Sequence, residues 1–231
     1  MHNLCIIPAR GGSKRIPRKN IKDFLGKPII AYSIQTALLS ELFDEVMVST
    51  DDEEIAEIAI KYGAKVPFLR SSINSNDYAS TMDVIREVIG QYSVLENKLF
   101  NYTCCIYPCA PLMRCESIKE GLSKLISGDF VSVHPVVEFS YPVWRGLELN
   151  DNGSISMIWP EFVNSRTQDL SKVFHDAGQW YWFNNESMKN WDWPKNTGTT
   201  LLSEEYVQDI DTITDWRLAE LKYQLLKEYN K

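Results

Sequence analysis

The chain has 231 residues, of which 44% are hydrophobic and 24% charged, and these are the proportions of a globular protein. They exclude a disordered or low-complexity chain. There are 24 lysines and arginines against 31 aspartates and glutamates, so the net charge of −7 argues against a protein that binds nucleic acid or a membrane surface.

Strand and helix patterns alternate over the first part of the chain. Short apolar runs predict strands, and apolar residues at helical spacing predict helices. In chain order we expect a strand over Leu4–Pro8, a helix over Pro28–Leu39, a strand over Glu45–Thr50, a helix over Asp51–Tyr62, a strand over Val66–Leu69, a helix over Ser80–Val94, a strand over Tyr102–Tyr107, a helix over Cys115–Leu125 and a strand over Phe130–Val136. Because the connections are too long for hairpins, these elements predict an α/β three-layer sandwich with a mostly parallel, Rossmann-like sheet.

The alternation stops between residues 138 and 186. This stretch holds the turn Asn150–Gly153 and the aromatic run Trp180–Phe183, and we interpret it as an antiparallel insertion within a single domain over 1–231. A dense aromatic patch needs burial, which predicts a dimerisation arm and a homodimer. After it, Tyr206–Ile210 is predicted to be a strand and Thr214–Tyr229 a closing amphipathic helix.

The cysteine content is typical of a reducing compartment. There are five cysteines, and the spacing of the group from Cys104 to Cys115 does not fit a zinc site, with no histidine nearby. The sequence shows no apolar stretch long enough for a membrane span, and the run near its start is too short for a signal peptide. We therefore expect a cytoplasmic protein with reduced thiols.

The segment directly after the first predicted strand is strongly basic. Between Met1 and Lys22 there is no acidic residue, but there are six cationic ones: Arg10, Lys14, Arg15, Arg18, Lys19 and Lys22. Gly11 and Gly12 permit a loop whose amide N–H groups converge on an anion, and Ser13 adds a hydroxyl donor. Because ligands of open parallel sheets bind at the carboxyl ends of strands, this basic loop is predicted to bind a polyphosphate. A solvated loop is the alternative; the P-loop and dinucleotide-binding glycine signatures are both absent from the sequence.

Two carboxylates, Asp209 and Asp211, are separated only by Ile210 on a predicted strand. Alternate residues of a strand face the same side, and two carboxylates that close favour a cation between or near them. Mg²⁺ takes hard oxygen ligands and usually keeps substrate phosphates, so together with the basic loop the pair predicts a magnesium site. The alternative is a solvent-facing pair that caps the following helix.

Other polar residues allow more than one interpretation. Asp51 and Asp52 follow the second strand and are more typical of helix caps than of cleft residues. His175 and Asp176 are neighbours, but adjacent residues of a strand point in opposite directions, so we interpret them as sugar contacts or structural groups rather than as an acid–base pair.

These motifs together resemble one enzyme family. The segment IIPARGGSKRIPRKNIKDFLGKPIIAYSI resembles the opening of the cytidylyltransferases that activate nonulosonic acids, the CMP-sialic acid synthetase family. STDDEEIAEIAIKYGA, FLRSSINSNDYASTMDVI and VQDIDT continue the resemblance in the family's order and spacing. It is dense at the start of the chain, weak in the middle and good again near Asp211.

The resemblance implies a nucleotidyl transfer from CTP to the anomeric hydroxyl of a nine-carbon 2-keto acid sugar, with release of pyrophosphate. It assigns the contacts with CTP to Arg10, Gly11, Gly12, Ser13, Lys14, Lys19, Asn20, Arg70 and Ser80. Within this set, Arg10, Lys14 and Lys19 are the expected catalytic residues, because they neutralise the phosphates. It assigns Mg²⁺ to Asp209 and Asp211, and it favours a homodimer.

One departure from the family bears on the sugar. Sialic acid synthetases commonly have a Gln-Pro-Thr-Ser-Pro-Leu-like motif whose glutamine contacts the sugar, whereas this chain has YPCAPL over residues 107–112. YPCAPL and FHDAGQWYWF resemble the pseudaminic acid cytidylyltransferases, which act on a less hydroxylated diamino sugar. The expected sugar contacts are Tyr107, His175, Asp176 and Gln179. A CMP-N-acetylneuraminate or CMP-legionaminate synthetase is the alternative.

Two other classes of protein remain open at this point. A D-x-D motif in an α/β domain is also found in glycosyltransferases that hold a nucleotide sugar through a metal, although their motif lies in mid-chain. A non-catalytic nucleotide-binding module is the second possibility, disfavoured by the presence of both the cationic loop and the paired aspartates.

Overall fold

A computed structural model of the chain describes residues 1–190 and 194–229. The strands are β1 (Asn3–Pro8), β2 (Asp23–Phe24), β3 (Lys27–Pro28), β4 (Glu45–Ser49), β5 (Tyr102–Ile106), β6 (Ser132–Glu138), β7 (Leu147–Leu149), β8 (Ile155–Met157), β9 (Phe174–Asp176), β10 (Trp180–Asn184) and β11 (Thr197–Leu202). The helices are α1 (Ile30–Leu39), α2 (Glu53–Lys61), α3 (Thr81–Leu95), α4 (Cys115–Ser127) and α5 (Ile213–Tyr229). No helix in the described ranges is both long and apolar enough to cross a membrane.

Seven strands form the central sheet, in the order β11-β6-β10-β5-β1-β4, with β9 paired to β6. β1 runs parallel to both β4 and β5, and β11 runs parallel to β6. β10 is antiparallel to its two neighbours β5 and β6, and β9 is antiparallel to β6. The mostly parallel α/β sheet expected from the sequence is therefore confirmed.

Helices cover both faces of the sheet. On β1, Cys5 and Ile7 face the layer of α1, α2 and α4, whereas Leu4 and Ile6 face α3, as the two-residue period of a strand requires. All four side chains are fully buried, and burial of each large apolar side chain stabilises the fold by about 1.5–3 kcal/mol. The arrangement is a three-layer sandwich.

A third, smaller core cluster joins parts of the chain that are distant in sequence. It contains Ile16 from the basic loop, Ile210 from between the two aspartates, and Trp216 from α5, all 4% exposed or less. Phe24 and Tyr32 complete its aromatic centre, with ring centroids 5.2 Å apart. This cluster brings the basic loop and the aspartate pair to the same side of the protein.

Two predicted strands do not form. Within 66–69 no strand is assigned, because Pro67 cannot donate to a ladder, and only an isolated bridge links Lys65 to Met47. The expected strand over Tyr206–Ile210 is also absent: Tyr206 ends a short 3-10 helix and the next residues are irregular. Val207 and Ile210 are buried at a spacing of three, which does not fit the period of a strand. Conversely, β11 was not predicted.

The aromatic run lies in the central sheet and not against a second subunit, so that expectation is wrong for these residues. Trp180 and Trp182 are fully buried in β10, between β5 and β6. A strand covered on both faces has a continuous apolar sequence, which explains why the run resembles an unpartnered patch. Within the predicted arm, β9 and β10 belong to the central sheet, whereas β7 and β8 form a separate antiparallel hairpin around the Asn150–Gly153 turn.

Candidate active site

A cleft of about 400 Å³ opens where β1 and β5 end. Its walls come from the basic loop, the residues after β5, the turn before β10 and the segment before α5: Pro8, Arg10, Ser13, Lys14, Arg15, Lys19, Asn20, Tyr107, Pro108, Cys109, Gly178, Asp209 and Ile210. Ligands of open α/β sheets bind at this edge, outside the carboxyl ends of the strands. The predicted phosphate loop and one of the predicted metal ligands thus share one cleft.

The basic loop is held in place by two buried residues. Ile16 is inserted in the third core cluster, and Asn20, 7% exposed, donates from Nδ2 to the backbone oxygen of Arg10 at 2.9 Å. Between them, Arg18 adopts a left-handed conformation (φ 55°), which is unusual for a residue with a side chain. Its guanidinium pairs with Asp52 and Glu54, and these ion pairs hold the turn that presents Lys19.

Gly11 lies against α2. Its N–H donates to Asp51 Oδ1 at 3.2 Å, and a Cβ at this position would lie 2.5 Å from Asp52 Oδ2. Asp52 is the N-cap of α2, as the sequence predicts, and accepts from Ile55 N–H at 3.0 Å. Space around Gly12 is open. A side chain at position 11 would therefore force the Asp52 carboxylate to shift.

The cations of the loop contact acidic groups on two sides. Arg10 Nη1 and Lys14 Nζ lie 2.8 and 2.5 Å from the two oxygens of Asp77. On the other side, Arg15 Nη2 lies 2.7 Å from Asp211 Oδ1. Arg10, Lys14 and Arg15 thus each bind a carboxylate of the protein, and the same side chains can form charge-assisted hydrogen bonds with a phosphate.

Lys19 connects the loop to the aspartate segment. Its Nζ donates to the backbone oxygen of Ile210 at 2.7 Å and lies 3.8 Å from Asp211 Oδ1. The carboxyl of Asp209 lines the cleft; partial removal from water raises its pKa, the charge of Asp211 raises it further, and Lys19 acts in the opposite direction. The site therefore combines a cationic wall with a carboxylate that favours an added cation.

Asp209 also lines a second, acidic pocket of about 460 Å³ on its other side. The acidic pocket is lined by Val137, Glu138, Ser140, His175, Asp176, Ala177, Glu204, Val207, Gln208, Asp209, Asp211, Asp215 and Lys222. Asp215 accepts from the N–H of Asp211 at 3.1 Å and so fixes the segment at the start of α5. The two predicted metal ligands come together here.

The two aspartates supply only part of the ligand shell of a hard divalent cation, and a substrate would have to supply further oxygen ligands. Asp209 and Asp211 offer carboxylate oxygens, but among the described residues no group of three or more His, Cys, Asp or Glu side chains has the geometry of a metal site. Mg²⁺ is typically held by one or two carboxylates, with phosphates and waters completing its shell. The two aspartates fit that pattern.

The four predicted sugar contacts occupy different positions. Tyr107 lines the cleft, and His175 and Asp176 line the acidic pocket. Gln179 is only 3% exposed; its Nε2 donates to the backbone oxygen of Tyr206, and its backbone oxygen accepts from Tyr107 N–H at 2.8 Å. Gln179 therefore braces the wall of the cleft in this structure.

Tyr181 links the two cavities, which the sequence reasoning missed. Its hydroxyl donates to the carboxylate of Asp176 (2.8 and 3.0 Å to the two oxygens), and its ring lies edge-on to Tyr107 with centroids 5.2 Å apart. Tyr107 in turn lies 3.3 Å, hydroxyl to hydroxyl, from Thr81. The alternation along WYWF places Tyr181 on the α3 face, a signal that could have identified it.

Arg70 and Ser80 are not among the residues that line the cleft. Arg70 is 8% exposed, and its guanidinium donates to the hydroxyl and backbone oxygen of Ser49; burial lowers its pKa. Ser80 is the N-cap of α3, in a reciprocal capping box with Asp83. In this structure both side chains have structural partners.

Further residues in or near the cleft were not predicted as site residues, among them Asp77, Cys109 and Gly178. Cys109 Sγ donates to Asn20 Oδ1 at 3.3 Å, and burial raises the pKa of its thiol to about 12. Gly178 has a φ of +64°, and its N–H donates to Asp176 Oδ1 at 2.8 Å. The glycine in AGQW was the available signal for a special backbone position.

Comparison with known proteins gives consistent results. A family model described as cytidylyltransferase matches residues 4–139. A Campylobacter jejuni protein named pseudaminic acid cytidylyltransferase is 44% identical over 230 residues, covering 99% of each chain. A Legionella pneumophila protein named CMP-N,N'-diacetyllegionaminic acid synthase is 30% identical, again over 99% of each chain. Among solved structures, a CMP:2-keto-3-deoxy-manno-octonic acid synthetase complexed with CTP has a TM-score of 0.69 at 19% identity, covering 99% of this chain and 100% of that one.

Proposed function

Because the chain belongs to the cytidylyltransferase family and is a nucleotidyltransferase, we propose that it transfers CMP from CTP to pseudaminic acid and releases pyrophosphate. The observation that carries the proposal is the cleft that Lys14, Lys19 and Asp209 line together. The identity of 44% to a protein named pseudaminic acid cytidylyltransferase supports this sugar over its analogues. Membership of the family removes the glycosyltransferase alternative.

Each group of the cleft has a role in this reaction. Arg10, Lys14 and Lys19 bind the triphosphate and neutralise the negative charge that grows on the departing pyrophosphate. The anomeric hydroxyl of the sugar attacks the α-phosphorus, a new P–O bond forms, the bond to the β-phosphate oxygen breaks, and the hydroxyl proton is lost. Positioning and charge stabilisation account for most of the catalysis in such transfers.

Cytidylyltransferases of this fold generally use a divalent metal, and we infer that it is Mg²⁺, held by Asp209 and Asp211. When bound, the ion supplies positive charge to the phosphate oxygens. Arg15 and Lys19 contact Asp211 in this structure and would have to share that carboxylate with the ion. We infer that Arg70 and Ser80 contact the base and ribose only after leaving their present partners.

The sugar is expected between the cleft and the acidic pocket, near Tyr107 and Asp176. These two side chains lie on either side of Tyr181, and a diamino sugar offers amide groups to hydrogen-bond with them. A legionaminic acid is the second candidate, because the Legionella protein matches over the full chain.

Pyrophosphate release, measured with CTP, Mg²⁺ and each of three sugars, tests the proposal. We expect turnover to be fastest with pseudaminic acid, slower with legionaminic acid and slowest with N-acetylneuraminic acid. A preference for N-acetylneuraminic acid would overturn the sugar assignment. Failure of all three sugars together with normal CTP binding would instead indicate a nucleotide-binding module.

A further inference from the structure

Two cations of the basic loop are bound by one carboxylate outside the cleft. Asp77 belongs to the segment that precedes α3, and its oxygens lie 2.8 Å from Arg10 Nη1 and 2.5 Å from Lys14 Nζ. Arg10 Nη1 also donates to the backbone oxygen of Asn76 at 3.2 Å. Arg10 and Lys14 are two of the three cations proposed above to bind the triphosphate. A protein carboxylate therefore holds the groups that the nucleotide needs.

We propose that Asp77 is an intramolecular competitor of polyphosphate at the basic loop. It pairs with Arg10 and Lys14 in the free enzyme, yields them to the triphosphate of CTP, and pairs with them again as pyrophosphate leaves. The inference rests on the proposed function, because it takes the basic loop as the site of the triphosphate.

The charges support an exchange of this kind. Asp77 brings one negative charge to two cations, whereas a triphosphate or pyrophosphate brings several and forms stronger charge-assisted hydrogen bonds. The hydrogen bond from Lys14 holds the pKa of Asp77 below its usual range, so the carboxyl stays ionised at neutral pH. The side chains of Asp77 and Lys14 are 45% and 78% exposed, and exposed ion pairs are weak. A triphosphate or pyrophosphate can therefore displace Asp77 from the two cations.

The loop that carries Asp77 is anchored at its two ends, on Glu87 near its start and in the capping box of Ser80 at its end, and Asp77 lies between these anchors. Near its start, Glu87 of α3 accepts from the N–H and hydroxyl of Ser71 and from Asn74. Farther along, Asn76 Oδ1 accepts from the N–H groups of Tyr78 and Ala79, which makes a local turn, and Tyr78 is 96% exposed. Asp77 can therefore move away from the loop without disrupting the core.

Binding of pyrophosphate alone to the free enzyme, without divalent metal, tests this directly by calorimetry. Asp77→Asn removes the competitor, so we expect it to bind pyrophosphate about two- to fivefold more tightly than the wild type. Asp77→Glu keeps a carboxylate and is expected to bind as the wild type does. Glu120→Gln is the matched control: it removes one charge from a 50% exposed side chain that pairs with Lys124 at 2.7 Å on α4, away from the cleft.

Four results would overturn the inference: binding by Asp77→Asn that is equal to or weaker than wild type, an equal gain in Glu120→Gln, an equal gain in Asp77→Glu, or no pyrophosphate binding by any of the four proteins. In turnover assays the Asp77→Asn variant should also show a lower KM for CTP and a lower inhibition constant for pyrophosphate. The proposed function fails separately, through lack of CTP-dependent turnover with every sugar, which leaves the comparison of pyrophosphate binding intact.

Discussion

Lys19 illustrates how a single side chain joins distant parts of the sequence. Its ammonium group donates to a backbone oxygen 191 positions later, beside the aspartate pair. The bond depends on two apolar neighbours, Ile16 and Ile210, which pack in the same small core and fix the two segments that carry the charges. The buried side chains of Ile16 and Ile210 thus fix the positions of the charged groups at the surface of the cleft.

We expect Lys19→Ala to lower kcat by about 100-fold, because it removes a charged donor from the developing negative charge. Thermal stability should change little, since the side chain contributes one bond to a backbone oxygen. Pyrophosphate release and thermal denaturation measure the two effects.

Lys124→Ala is the matched control for that substitution. Lys124 Nζ also donates to a backbone oxygen, that of Thr199 at 2.9 Å, but it does not line the cleft. The turnover of the Lys124→Ala variant should equal that of the wild type. Similar losses of activity in the two variants would contradict a catalytic role for Lys19.

Among the helices and strands, the contact between α4 and β10 is unusually close. Gly121 faces Trp180, and a Cβ on this glycine would lie 2.3 Å from the indole ring and 3.1 Å from Trp182. The glycine permits the helix to approach the two tryptophans of the central sheet. It is a packing requirement in the middle of a helix, where glycine is otherwise unfavourable.

Gly121→Ala should therefore destabilise the protein by about 1–3 kcal/mol, because the indole rings must shift within a packed core. Gly90→Ala provides the control: Gly90 also lies within a helix, α3, but has no atom within 4 Å of the added Cβ. Replacing it should stabilise the protein by about 0.5–1 kcal/mol. Denaturant unfolding measures both, and equal effects of the two substitutions would contradict the packing argument.

The sequence predicted those helices and strands that bury one face, because their apolar residues recur with the period of the element. α2, for example, was expected over Asp51–Tyr62 and forms over Glu53–Lys61, with Ile55 and Ala59 buried and Asp52 as its cap. It did not identify β11, because strand pairing with β6 across about 65 residues is a tertiary interaction with no local pattern. The aromatic run of β10 was recognised as apolar, but its position inside the sheet depends on β5 and β6.

The sequence predicted those residues of the candidate site that carry a local signal. The basic loop and Asp209 carry their signal in local charge, and the structure places them in one cleft. Asp77 acts through Arg10 and Lys14, which lie 67 and 63 positions away in the sequence, so no local motif marks it. Tyr181 is marked only by the alternation along the aromatic run, which does not reveal its contact with Tyr107.

At the scale of the whole molecule, a buried carboxylate at the edge of the sheet opposite the cleft contributes to the stability of the fold. Glu45 is 5% exposed and is bound by Lys65 and Lys98 at 2.5 and 2.8 Å. Burial alone would raise the pKa of this carboxyl, but the hydrogen bonds from the two lysines outweigh burial and hold the pKa below its ordinary value of 4.5. Because the folded-state pKa is depressed, the ionised carboxyl stabilises the fold above pH 4.5, and this contribution is lost as the pH falls through the folded-state value.

Glu45→Gln should therefore lower the free energy of unfolding at pH 7 and flatten its decrease below pH 4.5. Denaturant unfolding between pH 3 and 7 measures both properties. Glu57→Gln, at an exposed position of α2, is the control and should leave the pH dependence unchanged. A wild-type pH dependence in Glu45→Gln would contradict the assignment.

The segment around the β7–β8 hairpin exposes apolar side chains, and exposed apolar patches are typical of interfaces between protein chains. Tyr141, Leu149 and Ile155 are 85%, 75% and 63% exposed, around the β7–β8 hairpin. We expect a homodimer in solution that the double variant Leu149→Lys, Ile155→Lys converts to monomer. Light scattering measures the mass of each, and a wild-type monomer at micromolar concentration would contradict the expectation.

The antiparallel position of β10 between β5 and β6 has a consequence for synthesis on the ribosome. Until residue 184 has emerged, β5 has no partner on one side and β6 is separated from it by the width of a missing strand. The nascent polypeptide therefore exposes unpaired edges of β5 and β6, and unpaired strand edges favour wrong pairing. The gap between β5 and β6 is filled only when Trp180–Asn184 has been synthesised, and β11 can add to the outer edge of β6 only after that.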